Sequence, residues 1–243
     1  MNEIPKPVTI PDLNLQLLWI APGVFTMGSP ATEAERNPDE TSHRVTLTRG
    51  FWVGKTQVTQ GQWEAVMGNN PSYFKQAGRI APVENISWED AMEFCRQLTS
   101  RAGTAGPLPE GYEYTLPTEA QWEYACRAGT EGANAGDLGT MGWYDMNSGA
   151  TTHPVGQKQA NAWGLHDMHG NVIEWCLDWY DHRSYSTEAV TDPTGATSGS
   201  LRVLRGGSWS CPRTLCRSAL RNGFEPGDRV RYLGFRLALS LVA

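Results

Sequence analysis

Short apolar stretches separated by turn residues dominate the first quarter of the chain and predict brief strands. Residues 17–20 and 24–29 are apolar runs on either side of Pro22-Gly23, so we expect two strands joined as a hairpin. Residues 43–48 alternate polar and apolar positions with a period of two, which is typical of a half-buried strand. Residues 51–55 are expected to continue that sheet.

Three later segments carry helix start signals. Thr59 precedes a run that ends at Gly68, so an N-cap and a C-terminal glycine bound the first predicted helix. A second helix is predicted to begin near Ser87, with two carboxylates in its first turn, and to run to about Leu98. A third follows Thr118, whose capping-box partner would be the glutamine three residues later.

The rest of the chain is rich in turn residues and predicts an α+β domain with much irregular structure. Ten tryptophans, 26 glycines and 15 prolines favour loops held by aromatic side chains over long regular elements. Residues 127–160 are expected to be mostly loop, and short strands should follow them. Without an internal repeat or a linker, we interpret residues 1–16 as an extended lead-in and residues 17–243 as one domain.

Charge is distributed unevenly along the chain. The net charge is −6, but from Leu201 onward eight arginines face one glutamate and one aspartate, giving +6, so the preceding residues carry −12. A basic tail can bind polyanions. These arginines are interleaved with Leu, Val, Phe and Gly, which favours buried guanidinium groups that pair with carboxylates from the acidic part. We therefore expect no nucleic-acid partner.

Targeting signals and membrane segments are not evident. No apolar run approaches the roughly 18 residues of a membrane span, and no basic segment followed by an apolar one opens the chain. Five cysteines are an odd number for a disulfide framework, so reduced thiols and a cytoplasmic setting are expected. Cys95, Cys126 and Cys176 are predicted to lie in the core. The five histidines show no metal-ligand spacing.

Five segments, in order along residues 17–238, together resemble the formylglycine-generating enzyme, or sulfatase-modifying factor, family. That resemblance implies a C-type-lectin-like α+β fold. The segments are residues 19–29, 82–91, 116–123 and 161–172, followed by Arg205-Gly206-Gly207-Ser208 paired with Gly234-Phe235-Arg236.

The resemblance also implies a structural calcium ion. By position, its ligands would be the side chains of Asp167 and Glu174 and the carbonyls of Gly170 and Val172. Hard oxygen ligands in a glycine-containing turn suit Ca2+. The alternative is that Asp167 and Glu174 pair with the C-terminal arginines.

Two thiols raise the possibility of catalysis. Enzymes of the family oxidise a substrate cysteine with Cu(I) held by a Cys-x4-Cys pair, and soft thiolates favour Cu(I). Counted forward from Ser208, Cys211 and Cys216 match that spacing. Counted back from Pro226, the loop is about three residues short. Pro212 stands where the enzymes carry histidine, and Ile173 where they carry tryptophan.

The same segment also resembles the variable proteins of diversity-generating retroelements, which share this fold and end in similar motifs. In this interpretation residues 205–236 form a variable, ligand-binding segment in which framework residues alternate with candidate contact positions. All the contact positions can be encoded by NNC codons, as diversification of AAC codons requires. The framework residues are Cys216, Arg217, Ser218, Ala219, Arg221, Asn222, Pro226, Arg229, Gly234, Phe235 and Arg236. The candidate contact positions are Ser210, Cys211, Thr214, Leu215, Leu220, Gly223, Phe224, Gly227, Val230, Arg231 and Tyr232.

Two functions are therefore carried forward. The preferred hypothesis is a non-catalytic lectin-fold protein that binds a protein or other macromolecular ligand through this segment. The alternative is a copper-dependent formylglycine-generating oxidase that uses Cys211 and Cys216 with Ser208.

Overall fold

The computed structural model describes residues 5–105, 108 and 110–241. Within that part of the chain, four helices lie among twelve short strands. The helices are α1 (Gln60–Met67), α2 (Trp88–Ala105), α3 (Glu119–Arg127) and α4 (Leu138–Met141). The strands are β1 (Val8–Ile10), β2 (Leu15–Ile20), β3 (Gly23–Met27), β4 (His43–Leu47), β5 (Phe51–Gly54), β6 (Tyr112–Thr115), β7 (Ile173–Trp179), β8 (Val190–Thr191), β9 (Arg202–Arg205), β10 (Arg221–Phe224), β11 (Leu233–Gly234) and β12 (Ala238–Leu241).

Three sheets organise these strands. A five-stranded sheet has the order β1-β2-β5-β12-β6, a four-stranded sheet the order β10-β9-β7-β11, and a three-stranded sheet the order β3-β4-β8. Most neighbours are antiparallel, whereas β7 with β11 and β4 with β8 are parallel pairs. The predicted α+β class with much irregular structure is confirmed.

The predicted hairpin between residues 17–20 and 24–29 is wrong. Both edges of β2 are already occupied, by β1 and by β5, so β3 cannot pair with it. Instead β3 pairs with β4 in another sheet. For the same reason residues 43–48 and 51–55 do not share a sheet: β4 lies beside β3, and β5 lies beside β2.

The N-terminal lead-in is part of the domain rather than a separate extension. Strand β1 pairs antiparallel with β2, with Val8 opposite Leu17 and Ile10 opposite Leu15. Trp52 Nε1 also donates a hydrogen bond to the Lys6 carbonyl (2.9 Å). The boundary expected at residue 16 therefore falls inside the five-stranded sheet. Residues 1–4 and 242–243 of the predicted units lie outside the described residues.

The two Thr-capped helices form as the sequence predicts. The Thr59 and Thr118 hydroxyls each accept a hydrogen bond from the backbone N–H of the glutamine three residues on, and that glutamine's Oε1 accepts one from the threonine backbone N–H. Gly68 ends α1 in the left-handed region, with φ of 77°. Helix α2 continues to Ala105, beyond the predicted end, and the predicted loop 127–160 contains the short helix α4, capped by Asp137.

Two apolar clusters form the core. One packs Trp63, Phe94 and Phe235 together, with ring centroids 5.4–6.1 Å apart. The second surrounds Trp122 and lies against β3, β4 and α3. The predicted core thiols Cys95, Cys126 and Cys176 are buried and free. Among the described residues, none of the helices combines the length and apolar character needed to cross a membrane.

Candidate binding surface

Residues 205–236 enter the four-stranded sheet at its centre and leave it at its edge. Arg221 in β10 lies opposite Arg205 in β9, which lies opposite Glu174 in β7, which pairs with Gly234 in β11. These four residues form one row across the sheet. Two loops, residues 206–220 and 225–232, connect the strands and carry most of the candidate contact positions.

Buried arginines fix the first loop to the core. Arg205 is fully buried and forms an ion pair with Glu123 of α3. Its guanidinium group also donates to the carbonyls of Ser218, Ala219 and Leu220 at 2.8–3.0 Å. One side chain therefore determines the path of the backbone that returns from the loop to β10.

The other framework arginines make equivalent connections. Arg221 forms a bidentate pair with Glu119 at 2.7–2.9 Å. Burial raises the pKa of Glu119, but the charges of Arg221 and Arg205 outweigh it and hold that pKa below its usual range. Arg217 pairs with Glu40 and Glu33 at 2.6–2.7 Å.

Pairing of the C-terminal arginines with carboxylates from the acidic part, expected from the sequence, is confirmed. Arg229 pairs with Asp90 at the surface, and Arg236 pairs with Glu174 in the core. Arg202 instead lies between the rings of Trp88 and Trp179, with its guanidinium carbon 3.8 and 3.4 Å from the centroids. These contacts account for most of the basic charge after Leu201.

The Gly206-Gly207 turn allows the loop to pack tightly. Gly207 has φ of 71°, and a Cβ there would lie 2.6 Å from Cys216 Sγ and 2.7 Å from the Leu215 carbonyl. A side chain is therefore excluded by both conformation and space. The consequence is that the Cys216 side chain is held beneath the turn and away from solvent.

Exposure divides residues 205–236 into two classes that follow the sequence-based assignment closely. All eleven candidate contact positions are half-buried or exposed. Eight of the eleven framework residues are buried; Pro226 is half-buried, and Asn222 and Arg229 are exposed. The buried framework residues are Cys216, Arg217, Ser218, Ala219, Arg221, Gly234, Phe235 and Arg236.

Aromatic and cationic side chains are concentrated on this surface. The Phe224 and Tyr232 rings meet edge to face, with centroids 6.5 Å apart. The Arg231 guanidinium lies 5.4 Å from the Tyr73 ring and 5.6 Å from the Trp209 ring. Side chains of this kind supply much of the binding energy at protein interfaces.

Several residues of this surface lie outside the predicted segment. Tyr73 is 59% exposed beside Arg231. Met146 is 80% exposed and follows Asp145, whose N–H donates to the Cys211 carbonyl at 3.0 Å. Nothing in the sequence signals these positions, because they come from distant loops.

A pocket of about 200 Å3 lies beside the first loop. Its lining includes three candidate contact positions, Cys211, Leu215 and Leu220, together with Asp39 and Tyr180. The Tyr180 hydroxyl donates to Asp39 Oδ2 at 2.8 Å. The acidic loop of residues 28–42, between β3 and β4, therefore forms one wall of the surface.

Glu84 is a buried carboxyl group beneath this surface. Its Oε1 accepts a hydrogen bond from the Phe74 N–H (2.8 Å), and its Oε2 has no hydrogen-bond partner among the described residues. The Phe74 ring in turn packs edge to face on Trp209. Burial raises the pKa of Glu84 to about 7.

The two candidate catalytic thiols occupy different environments. Cys211 is half-buried, and its Sγ lies 3.3 Å from Ser208 Oγ, whereas Cys216 is fully buried. Both are free thiols. Burial raises the pKa of Cys216, and Cys211 and Asp145 raise it further, so without a metal the surroundings of Cys216 favour the protonated thiol.

The segment predicted to bind calcium is a buried turn before β7. The Gly170 and Val172 carbonyls and Glu174 Oε1 converge on one point, as the resemblance predicts, but the Gln57 side-chain nitrogen occupies that point, 2.9–3.2 Å from each. Asp167 contributes its backbone carbonyl (3.3 Å). Its carboxylate accepts from Gly156 N instead. In this arrangement the residues do not fit a calcium ion.

His169, in the same turn, has a structural role. Its Nδ1 donates to the Cys216 carbonyl at 2.8 Å, and its Nε2 accepts from Ala135 N at 3.0 Å, so both ring nitrogens are used by the backbone. Burial lowers its pKa to about 4. The neutral ring therefore joins residues 134–135 to the framework of the first loop.

Comparison with known proteins agrees with the fold. The chain matches the model of the sulfatase-modifying factor enzyme 1-like domain over residues 5–241. It is 36% identical to the formylglycine-generating enzyme of Streptomyces coelicolor over 65% of this chain and 52% of that enzyme.

Two solved structures superpose over nearly the whole chain. Variable protein 1 of Treponema denticola matches with a TM-score of 0.86 and 33% identity, covering 96% of this chain and 98% of that protein. PvdO from Pseudomonas aeruginosa matches with a TM-score of 0.85 and 25% identity over 99% of this chain and all of that protein. The fold is therefore the C-type-lectin-like fold of these proteins, and the chain belongs to the sulfatase-modifying factor enzyme 1-like, or formylglycine-generating enzyme, family.

Proposed function

We propose that this protein is a non-catalytic lectin-fold binding protein that displays its ligand-binding surface on residues 205–236. The observation that carries this proposal is the division of that segment into a buried framework and eleven solvent-accessible positions. Replacement of exposed side chains away from caps, turns and buried pairs changes stability little, so such a segment can vary without loss of the fold.

The character of the surface supports a protein or other macromolecular ligand. Phe224 packs against Tyr232, and Arg231 lies beside the exposed Tyr73, on a scaffold fixed by buried ion pairs. Rigid aromatic anchors and arginine are favoured at macromolecular interfaces because they offer large contact areas for little lost entropy. The pocket lined by Cys211, Leu215 and Leu220 offers a recess for a projecting ligand group.

The similarity to a variable protein supports a further step, diversification by a retroelement. The test is to sequence this gene and its surroundings in independent isolates. We expect codon differences confined to the eleven candidate contact positions, a neighbouring reverse transcriptase, and a near-copy repeat that differs only at adenines. Differences spread evenly over residues 17–238, with no such repeat, would refute diversification while leaving a constant binding surface to be tested by mutation.

The alternative function is a copper-dependent formylglycine-generating oxidase. The relevant observation is that both thiols lie close to the Gly206-Gly207 turn. Ser208 Oγ is 3.3 Å from Cys211 Sγ, and Cys216 is buried beneath Gly207. The test is incubation with Cu(I), oxygen and a Cys-x-Pro-x-Arg peptide. We expect no loss of the peptide thiol. Aldehyde formation that Cys216→Ser abolishes would establish the oxidase instead.

A further inference from the structure

The turn before β7 holds a fully buried glutamine where the family resemblance implies a metal ion. Gln57 lies between β5 and α1, and its side-chain nitrogen is 2.9 Å from the Val172 carbonyl and 2.9 Å from Glu174 Oε1. The Gly170 carbonyl lies at 3.2 Å and the Asp167 carbonyl at 3.3 Å. Four oxygens of one turn therefore surround a single amide group.

These distances suit hydrogen bonds and not metal coordination. Amide N–H groups donate to oxygen at heavy-atom separations of about 2.7–3.2 Å, whereas Ca2+ holds six to eight oxygens at about 2.3–2.6 Å. Among the described residues only four oxygens approach the point that the Gln57 nitrogen occupies. An amide has two hydrogens, so the shorter contacts to Val172 and Glu174 are its principal bonds and the longer two are shared.

The charge of Glu174 is already balanced without a metal. Arg236 is fully buried and forms a bidentate pair with Glu174, through Nε to Oε2 (2.6 Å) and through Nη2 to Oε1 (2.8 Å). Trp122 Nε1 also donates to Oε2 at 2.7 Å. Each carboxylate oxygen therefore has two donors. Even with the nearby Asp167 carboxylate ionised, a divalent cation here would leave one positive charge uncompensated in a buried site, at high cost.

From these contacts we propose that the Gln57 amide and the Arg236 guanidinium together replace calcium at this turn, so that the fold does not depend on a metal. Gln57 connects the turn to the β5–α1 connection. Arg236 connects it to β12 and, through the Gly54 carbonyl (2.9 Å), to β5. These two side-chain donors therefore hold the oxygens of the turn together, as a bound cation would.

A rival arrangement reverses the Gln57 amide and places its oxygen among the others, where a cation would be needed to hold them together. Gln57 Oε1 and Asp167 Oδ1 would then be additional ligands, since neither has a hydrogen-bond partner among the described residues. The two arrangements make opposite predictions about metal content and about the response of stability to calcium.

The first experiment measures calcium by mass spectrometry in the purified protein and compares thermal unfolding in EDTA and in 1 mM CaCl2. We expect no stoichiometric calcium and the same Tm in both buffers. One equivalent of bound calcium, or a Tm that is roughly 5 °C or more higher with calcium, would overturn the proposal.

The second experiment uses Gln57→Glu, which places a second carboxylate beside Glu174. We expect Q57E to be destabilised in EDTA and to recover several degrees of Tm when calcium is added, because the new carboxylate supplies the charge and the ligand that the site lacks. The matched control is Gln60→Glu, a buried glutamine whose amide instead bonds the Phe74 carbonyl and Asn70. Q60E should lose stability without any rescue by calcium. A wild type that responds to calcium as strongly as Q57E does would contradict the proposal, and the wild-type measurement decides the question even if Q57E does not fold.

Discussion

Buried and exposed positions of residues 205–236 alternate along one backbone but differ in the groups that their side chains contact. The buried arginines pair with carboxylates from α3, β7 and residues 28–42, each of them more than 60 residues away along the chain. Among the other side chains, Arg231 lies over the rings of neighbouring loops, whereas the half-buried Phe224 and Tyr232 contact each other and pack against the edge of the core. The fold therefore depends on one set, and the chemistry of the surface depends on the other.

This division explains how a segment with little regular structure holds a fixed shape. Connecting loops are usually more mobile than the strands and helices that they join. Here the guanidinium groups of Arg205, Arg217 and Arg221 bond directly to backbone or carboxylate groups in the core. These contacts with the core therefore determine the path of the loop, independently of the side chains that face solvent.

The largest expected effect comes from removing a buried guanidinium group. Arg205→Met would leave Glu123 without one of its partners and three carbonyls without a donor, so we expect a loss of about 3–5 kcal/mol in the free energy of unfolding. The control is Arg213→Met, because Arg213 lies on the same loop but is exposed. Urea unfolding of both variants measures the difference, and equal losses would contradict the assignment of Arg205 to the framework.

Glu84 is expected to give the next largest effect, through pH. Its pKa is about 7 in the folded protein and about 4.5 when unfolded, so the folded state binds the proton more tightly. The contribution of Glu84 to the free energy of unfolding is therefore fully present below pH 4.5. It is lost as pH rises through 7, which lowers the free energy of unfolding by up to about 3 kcal/mol.

The test of that effect is Glu84→Gln, which cannot ionise. We expect the stability of E84Q relative to the wild type to increase between pH 5 and pH 8. Asp178, whose pKa burial also raises to about 7, is present in both proteins and cancels from the comparison. A difference between the two proteins that does not change with pH would show that Glu84 is ionised in the folded protein throughout this range.

A pair of glycines tests the exposed class itself. A Cβ at Gly223 would lie 2.8 Å from two atoms of Tyr180, whereas a Cβ at Gly227 would meet nothing within 4 Å. We expect Gly223→Ala to displace Tyr180 and to cost about 1–3 kcal/mol, and Gly227→Ala to cost less than about 0.5 kcal/mol. Thermal unfolding measures both, and tyrosine fluorescence provides a second readout. If G223A is as stable as G227A, Tyr180 moves freely and Gly223 accepts variation like the other contact positions.

The smallest effect on stability is expected at Arg231. Its guanidinium group lies over the Tyr73 and Trp209 rings at more than 5 Å and is exposed to solvent. Arg231→Ala should therefore change the free energy of unfolding by at most about 0.5–1 kcal/mol. A loss as large as that of Arg205→Met in the same urea titration would place Arg231 in the framework.

Local signals in the sequence correctly predicted the two helices that open with a capping box. The helices after Thr59 and Thr118 form because each capping box is complete within four residues. The hairpin prediction failed because the partners of β2 are β1 and β5, and no short-range pattern reveals which edge of a strand is occupied.

The candidate surface was only partly predictable for the same physical reason. Alternation of framework and contact positions, together with the family motifs, indicated which side chains of residues 205–236 face solvent. The sequence could also indicate that the arginines pair with carboxylates, but not that Arg205 pairs with Glu123, which lies 82 residues away. Tyr73 and Met146 reach the surface through loops whose positions depend on the whole fold, as does the placement of Gln57 within the turn before β7.

A comparison of two displayed libraries tests the central claim most directly. One library randomises the ten candidate contact positions other than Gly223, where a side chain would meet Tyr180, and the other randomises the eight buried framework residues of the same segment. The fraction of each library that resists protease digestion measures folding. We expect most members of the first library to remain folded and nearly all members of the second to be degraded. Similar survival in both libraries would contradict the division of residues 205–236 into a structural framework and a binding surface.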